Sequence, residues 1–421
     1  MRALERQRSI FASGLSGHRP SVPVHPDRLR DQAIHSMSKK AAAYLQSAGK
    51  GRGFINNLEA FSQYDIVPTM LSGISDCDTN ISLFGREYPT PILLAPIGVL
   101  DLFEKQGDLK TAHAATALNV PMIFSNQASC PMESCAQIMA ETDHFFQLYF
   151  SNSDELVKSL ISRAERCGSK AIFVTVDTTL LGWRPEDLDM AYLPFLEGMG
   201  IAQYTSDSVF MRVLKNKEID LPLQAHKPGF SFRLLKSIFN LMKNYPGSLV
   251  HNLKSKEALE AVRLFINIYS RPSLSWDDIS RLKEMTTLPV IVKGILRADD
   301  AIEAERRGVD GIVVSNHGGR QIDGVIASLD ALVHIKKLVS DHLKIFFDSG
   351  IRSGTDIFKA LALGADAVLV GRPYVYGLSL AGSAGVREVL NNMISELELT
   401  MLLSGIWSIS EINSTFLQKK S

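Results

Sequence analysis

The chain has 421 residues, enough to bury a large core and more than one domain usually holds unless that domain is a barrel with insertions. Lysine plus arginine equals aspartate plus glutamate at 45 each, so no basic field draws nucleic acid and polyanion binding is disfavoured. The four cysteines, Cys77, Cys130, Cys135 and Cys167, show neither a CxxC pair nor metal-ligand spacing, and read as free thiols of a reducing compartment with no metal expected.

The opening residues, Met1 to Arg8, are charged and lack the apolar centre of a secretory signal, and no stretch has the length of a membrane span; the expectation is a cytoplasmic protein. Residues 1–90 read as an N-terminal arm, in which Pro20, Pro23 and Pro26 lead into a helical pattern from Pro26 through Leu45, with Tyr44 near its end. From Pro91 short apolar strands alternate with amphipathic helices. The strands are expected at 91–96, 120–125, 145–149, 171–177, 290–293, 311–315, 345–348 and 367–371, and helices between them at 107–118, 154–167, 298–307 and 354–363. Eight such alternations favour an α/β fold of the closed (β/α)8 TIM-barrel type over an open sheet. The chain then forms a single domain: the arm at 1–90, a first half-barrel at 91–184, an insertion at 185–285, and a second half-barrel with C-terminal helices at 286–421.

The insertion is too long for an ordinary connection and starts above the barrel mouth, which suits a lid. Its apolar, lysine-dotted stretch at 230–243 reads as a lid helix packed on the barrel or on a neighbouring subunit; contact with a membrane surface is the lesser reading.

Polar residues gather at the C-terminal strand ends: Gly98, Ser125, Gln147, Tyr149, Thr175, Asp177, Lys293, Ser315, His317 and Asp348. A barrel collects those ends into one mouth, where its active site forms. Lys293, straight after an apolar run, needs an anionic partner if buried. The run Ser315-Asn316-His317-Gly318-Gly319-Arg320-Gln321 sets an imidazole and a guanidinium three residues apart on a glycine-softened turn after Gly311-Ile312-Val313-Val314. A histidine there takes a proton near neutral pH and an arginine fork holds a carboxylate, which together describe deprotonation of an anionic substrate. The loops Asp348-Ser349-Gly350-Ile351-Arg352 and Gly371-Arg372-Pro373 pair glycine with arginine where barrels bind phosphate. With Lys293 and the Gln147 amide facing the mouth, FMN fits those parts; a phosphorylated sugar or nucleotide would also occupy such loops.

On these motifs the chain resembles the FMN-dependent 2-hydroxy acid oxidase and dehydrogenase family over nearly its whole length. Within it the likeness is to the lactate 2-monooxygenase subgroup, through Gly14-Leu15-Ser16-Gly17-His18-Arg19-Pro20, Ala95-Pro96-Ile97-Gly98-Val99-Leu100 and Leu181-Gly182-Trp183-Arg184-Pro185, with Gly98 standing where many members have alanine. The resemblance implies FMN contacts at Pro96, Ile97, Gly98, Ser125, Gln147, Thr175, Lys293, Ser315, Asp348, Gly350, Arg352, Gly371 and Arg372. It implies substrate contacts at Tyr44, Tyr149, Arg184, His317 and Arg320, with His317 as base, and Asp177 is the expected partner of its imidazolium. The implied reaction is oxidation of a small L-2-hydroxy acid, lactate foremost, with oxygen. Release of the keto acid gives pyruvate and hydrogen peroxide; retention gives acetate, carbon dioxide and water, which the subgroup likeness favours. A quinone-linked dehydrogenase and, from another class, a barrel that binds a phosphorylated ligand without redox work are the alternatives. Family likeness further implies a homotetramer or homo-octamer. Three departures stand out: Leu45-Gln46-Ser47-Ala48 after Tyr44, Leu58 in place of an arginine, and Ser349 in place of a glycine.

Overall fold

A computed structural model describes residues 2–216 and 231–420. Eight parallel strands, β1 (Ile92–Leu94), β2 (Met122–Phe124), β3 (His144–Tyr149), β4 (Ile172–Thr175), β5 (Val290–Ile295), β6 (Gly311–Val314), β7 (Lys344–Phe347) and β8 (Ala367–Val370), pair in chain order, and β8 returns to β1 to close the barrel. Each overlaps its expected segment; β3 and β7 start one residue earlier, at His144 and Lys344, and β5 runs two residues further, to Ile295. The strands are apolar at consecutive positions because both faces are covered. Leu93, Ile123, Phe145, Phe173, Ile291, Val313, Phe346 and Leu369 form one buried cluster inside the barrel, while Ile92, Leu94 and their counterparts join the larger core under the helices. Phe173 meets Phe145 and Phe346 edge-on at ring-centroid distances of 5.5 and 5.3 Å. An antiparallel ribbon, Ile81–Leu83 with Arg86–Tyr88, adds Ile81, Leu83 and Tyr88 to the interior cluster and plugs the end where the strands begin, so the open end is the one carrying the polar residues.

The register between β5 and β6 shifts between Lys293 and Ile295. Gly294 makes the shift, at φ +114°, and a Cβ there would meet the Cβ of Asp177 at 2.7 Å. Only glycine lets β5 pass so close to that aspartate.

The arm differs from its expected form. The pattern from Pro26 to Leu45 is two helices, because Ser38 caps a fresh start by accepting from the Ala41 N–H. Helix α1 (Arg2–Leu15), not foreseen, lies along the helix Arg372–Leu403 through an Arg6–Glu388 ion pair at 2.6 Å. Helix α2 spans Pro26–Ser36, α3 Lys39–Gln46 and α4 Arg52–Ser62, and the short strand Tyr64–Ile66 pairs with Leu417–Lys419.

Between β4 and β5 run several helices, among them Ser208–Asn216 and Phe232–Asn244. The latter starts at the Ser231 cap, so the stretch expected at 230–243 is helical from Phe232, and Phe230 lies outside the described residues. It buries Leu241 and Met242. It is also fastened by the nearly buried carboxylate of Glu197, which accepts from Ser237 and Asn240 and, at 3.2 Å, from Lys40 of α3. No helix among the described residues is long and apolar enough to cross a membrane.

Candidate active site

A cavity of about 460 Å³ opens at the C-terminal ends of the strands. Tyr44, Pro96, Ile97, Gly98, Gln147, Tyr149, Thr175, Arg184, Lys293, His317, Arg320, Asp348, Gly350, Arg352, Gly371 and Arg372 all line it. Ser125, Ser315 and Asp177 are not among the lining residues, and Asp177 stands where the expected partner of His317 should. Ser125 turns its hydroxyl to the Gln127 N–H, Ser315 accepts from Lys293 Nζ at 2.8 Å, and Asp177 packs behind the imidazole.

His317 follows β6 on a turn with φ +58°. Its Nδ1 lies 2.8 Å from Asp177 Oδ1, which also accepts from Thr178 Oγ1 at 2.8 Å. An ionised carboxylate can only accept, so the imidazole keeps its proton on Nδ1 and presents Nε2 as the basic nitrogen. Burial holds His317 below its usual pKa. Burial pushes the Asp177 carboxyl up, but its contact with His317 and the Lys293 charge outweigh that and leave it below the usual carboxylate range. The resting pair is therefore a neutral base on an ionised aspartate. The Asp177 carbonyl accepts from Gln321 Nε2 at 2.8 Å, so the last residue of the seven-residue run ties the two loops together.

Arg184 and Arg320 are neighbours. Arg184 Nε donates to the Arg320 carbonyl at 3.3 Å and its Nη2 to Gln321 Oε1 at 3.3 Å. Arg320 Nη1 donates to the carbonyls of Tyr44 and Ser47 at 2.7 and 2.9 Å, capping the end of α3, and its guanidinium sits over the Tyr44 ring at 5.1 Å. Among the described residues Arg320 makes no ion pair. Burial, with Arg184 alongside, pulls its pKa down to about 9. Two adjacent guanidinium groups in a cavity, one of them without a carboxylate, are a receptor for an anion. Tyr149 projects from the end of β3, and its backbone N–H donates to Asn126 Oδ1 at 2.9 Å.

Lys293 is buried, with Nζ 2.9 Å from Asp348 Oδ2. Burial works against its charge, but Asp348 and Asp177 raise its pKa above the usual lysine value. The expected anionic partner is thus Asp348. Beyond it Arg352 and Arg372 flank the Phe54 ring at 5.4 and 5.0 Å, and neither is ion-paired among the described residues. Burial lowers both, Arg372 to about 10. Gly371 lines the cavity and stands at the start of the helix Arg372–Leu403. Among the described residues the Arg372 Nη2 and Gln147 Nε2 groups are buried donors without an acceptor. Unspent donors at a phosphate-sized corner, a buried ammonium and a free amide between that corner and His317 match the needs of FMN: arginines and a helix start for the phosphate, Lys293 and Gln147 for the polar edge of the ring.

Several supports were not singled out from sequence. Asn57 of α4 exchanges two 2.8 Å hydrogen bonds with Asn316, fixing the arm to the base's turn. Asp187 lies 3.9 Å from Arg184. Ser349, noted only as a departure, contacts both Asp348 and Gly318. Thr178, directly after Asp177, and Gln321, inside the quoted run, were within reach of sequence reasoning; Asn57 and Asp187 carried no local signal.

The chain is 38% identical over 422 residues to an FMN-dependent alpha-hydroxy acid dehydrogenase of Schizosaccharomyces pombe, covering 98% of this chain and 95% of that protein. It is 39% identical to an L-lactate oxidase of Lysinibacillus sphaericus, covering 89% and 88%. Among solved structures, mandelate oxidase with (S)-4-hydroxymandelic acid superposes with a TM-score of 0.76 at 30% identity, covering 94% of this chain and 99% of that one. With the FMN-dependent dehydrogenase profile matching residues 33–419, the chain belongs to the FMN-dependent dehydrogenase family, whose members here oxidise 2-hydroxy acids.

Proposed function

We propose that the protein oxidises a small L-2-hydroxy acid, L-lactate foremost, with oxygen, and holds the keto acid long enough for it to be decarboxylated. The observation that carries the reading is the convergence of the free His317 Nε2 with Arg184 and Arg320 on one cavity. Arg184 and Arg320 hold the substrate carboxylate, Tyr44 and Tyr149 bond its oxygens, and the hydroxyl is left facing His317. His317 removes a proton as C2 is oxidised, and Asp177 offsets the imidazolium charge that results. FMN, when bound, takes up the two electrons and passes them to oxygen. Lys293 supplies positive charge beside the ring, held in place by Asp348.

Retention is supported by the insertion. Leu193 and Phe195 line the cavity, and Glu197, two residues on, is fastened both to the helix Phe232–Asn244 and to α3. Gly98 lines the same cavity and packs against Gln127, whose Cβ a methyl there would meet at 3.1 Å. The net reaction, lactate and oxygen to acetate, carbon dioxide and water, balances in atoms. Product analysis with catalase present from the start tests it, because catalase stops peroxide from decarboxylating pyruvate in solution. Acetate matching the oxygen consumed is expected. Pyruvate as main product makes the protein an oxidase; lactate-dependent dye reduction without oxygen uptake makes it a dehydrogenase. We further propose a cytoplasmic homotetramer or homo-octamer; gel filtration and light scattering test the assembly, and cell fractionation tests the compartment.

A further inference from the structure

Position 349 carries a serine at φ +79°, in the left-handed region where a side chain is disfavoured and glycine is not. The side chain is engaged at both ends. Ser349 Oγ donates to Asp348 Oδ1 at 2.7 Å and accepts from the Gly318 N–H at 2.9 Å. The preceding N–H, that of His317, donates to Ser315 Oγ at 3.1 Å, and Ser315 Oγ accepts from Lys293 Nζ at 2.8 Å. Lys293 and Asp348 are themselves paired at 2.9 Å. Two consecutive N–H groups of the base's turn are thus each held by a hydroxyl, and the two hydroxyls are bound to opposite members of one buried ion pair. Within the turn His317, a residue with a side chain, has φ +58°, so it lies outside the broad backbone minima and is kept in shape by bonds from outside.

We propose that Ser349 is a positioning residue for the base: its hydroxyl pins the His317–Gly318 turn to Asp348 and so fixes the imidazole relative to the Lys293–Asp348 pair. The inference deepens the functional reading above and rests on it for the role of His317. A glycine at 349 relaxes the backbone but leaves the Gly318 N–H and Asp348 Oδ1 without this link. An alanine leaves the strained backbone and removes the same bonds. The two substitutions therefore separate strain from contact.

The test compares S349A and S349G with the wild type in three measurements. Amide exchange of residues 316–320 in the FMN-free protein is expected to accelerate by about tenfold in both variants, the loss of about 1.4 kcal/mol of local protection. The limiting rate of anaerobic flavin reduction is expected to fall by about tenfold or more in both, with the substrate concentration for half-saturation little changed, since Arg184 and Arg320 are untouched. Thermal unfolding is expected to place S349G above S349A. Wild-type exchange and reduction rates in S349G overturn the proposal, as does recovery in S349G of a rate lost in S349A, because backbone strain alone would then account for it. Should lactate, glycolate and mandelate all fail to reduce the wild-type flavin, the functional reading fails while the exchange measurement still decides whether Ser349 holds the turn.

Discussion

Replacing Asp177 with asparagine changes almost no volume and removes one charge, and the structure sets how much that charge is worth. The contact between His317 Nδ1 and Asp177 Oδ1 is 2.8 Å. With an effective dielectric of about 20, a complete imidazolium–carboxylate pair at that distance is worth roughly 6 kcal/mol, and a proton half transferred roughly 3 kcal/mol. A loss of ~3 kcal/mol from the transition state slows proton removal about a hundredfold. Asparagine adds a second penalty if it turns its amide toward the ring, since Nδ1 must then accept and the proton moves to Nε2, the nitrogen the reaction needs free. D177N is therefore expected to reduce its flavin at least about a hundredfold more slowly in an anaerobic stopped-flow experiment, with a wild-type visible spectrum reporting normal FMN binding. A D177N protein that keeps its colour and bleaches within about threefold of the wild-type rate would refute the reasoning, since the pair would then contribute well under 1 kcal/mol.

Three further outcomes are expected. Because burial holds His317 below 6.5 and the working base is the neutral imidazole, kcat/KM should be level near neutral pH and fall only as pH drops through a value below 6.5; a midpoint above 6.5 contradicts the assignment. Lys293→Met leaves Asp348 buried without its countercharge, a change that costs about 3–5 kcal/mol; an unaltered unfolding temperature of the FMN-free protein would show that the pair is not holding the loop. Gly98→Ala crowds Gln127 at 3.1 Å, and the share of pyruvate and hydrogen peroxide among the products should rise at the expense of acetate, as read by product ratios with and without catalase; an unchanged ratio removes Gly98 from the account of retention.

The barrel was legible because its signal is local. Apolar runs buried on both faces, such as Ile172 to Thr175, end in polar residues only where the chain leaves the core, and the eight ends meet because the strands are parallel. Buried Lys293 was legible for the same reason: an ammonium after three apolar residues demands a partner, and Asp348 supplies it from two strands away. What was not legible depends on contacts distant in sequence. Asn57 is an ordinary helix residue until Asn316 is brought opposite it, and Glu197 is an ordinary acid until Lys40 and Asn240 close around it. The break in the arm helix at Ser38 was visible in principle, as serine is a good cap, but the continuous apolar pattern to Leu45 concealed it. Ser125 and Ser315 stand at strand ends as expected, and only the structure shows that their hydroxyls turn to the Gln127 N–H and to Lys293.

The arm that brings Tyr44 to the pocket is held from the far end of the chain. Helix α1 rests on Arg372–Leu403, Tyr64–Ile66 pairs with Leu417–Lys419, and the Leu45 carbonyl accepts from Arg372. During synthesis the residues made first find some partners midway, at Glu197, Asn316 and Arg320, but gain the rest only when those made last emerge. A nascent chain halted ahead of Arg372 would hold all eight barrel strands yet lack the partners of α1 and of Tyr64–Ile66, so the earliest segment completes its docking only when the last is made.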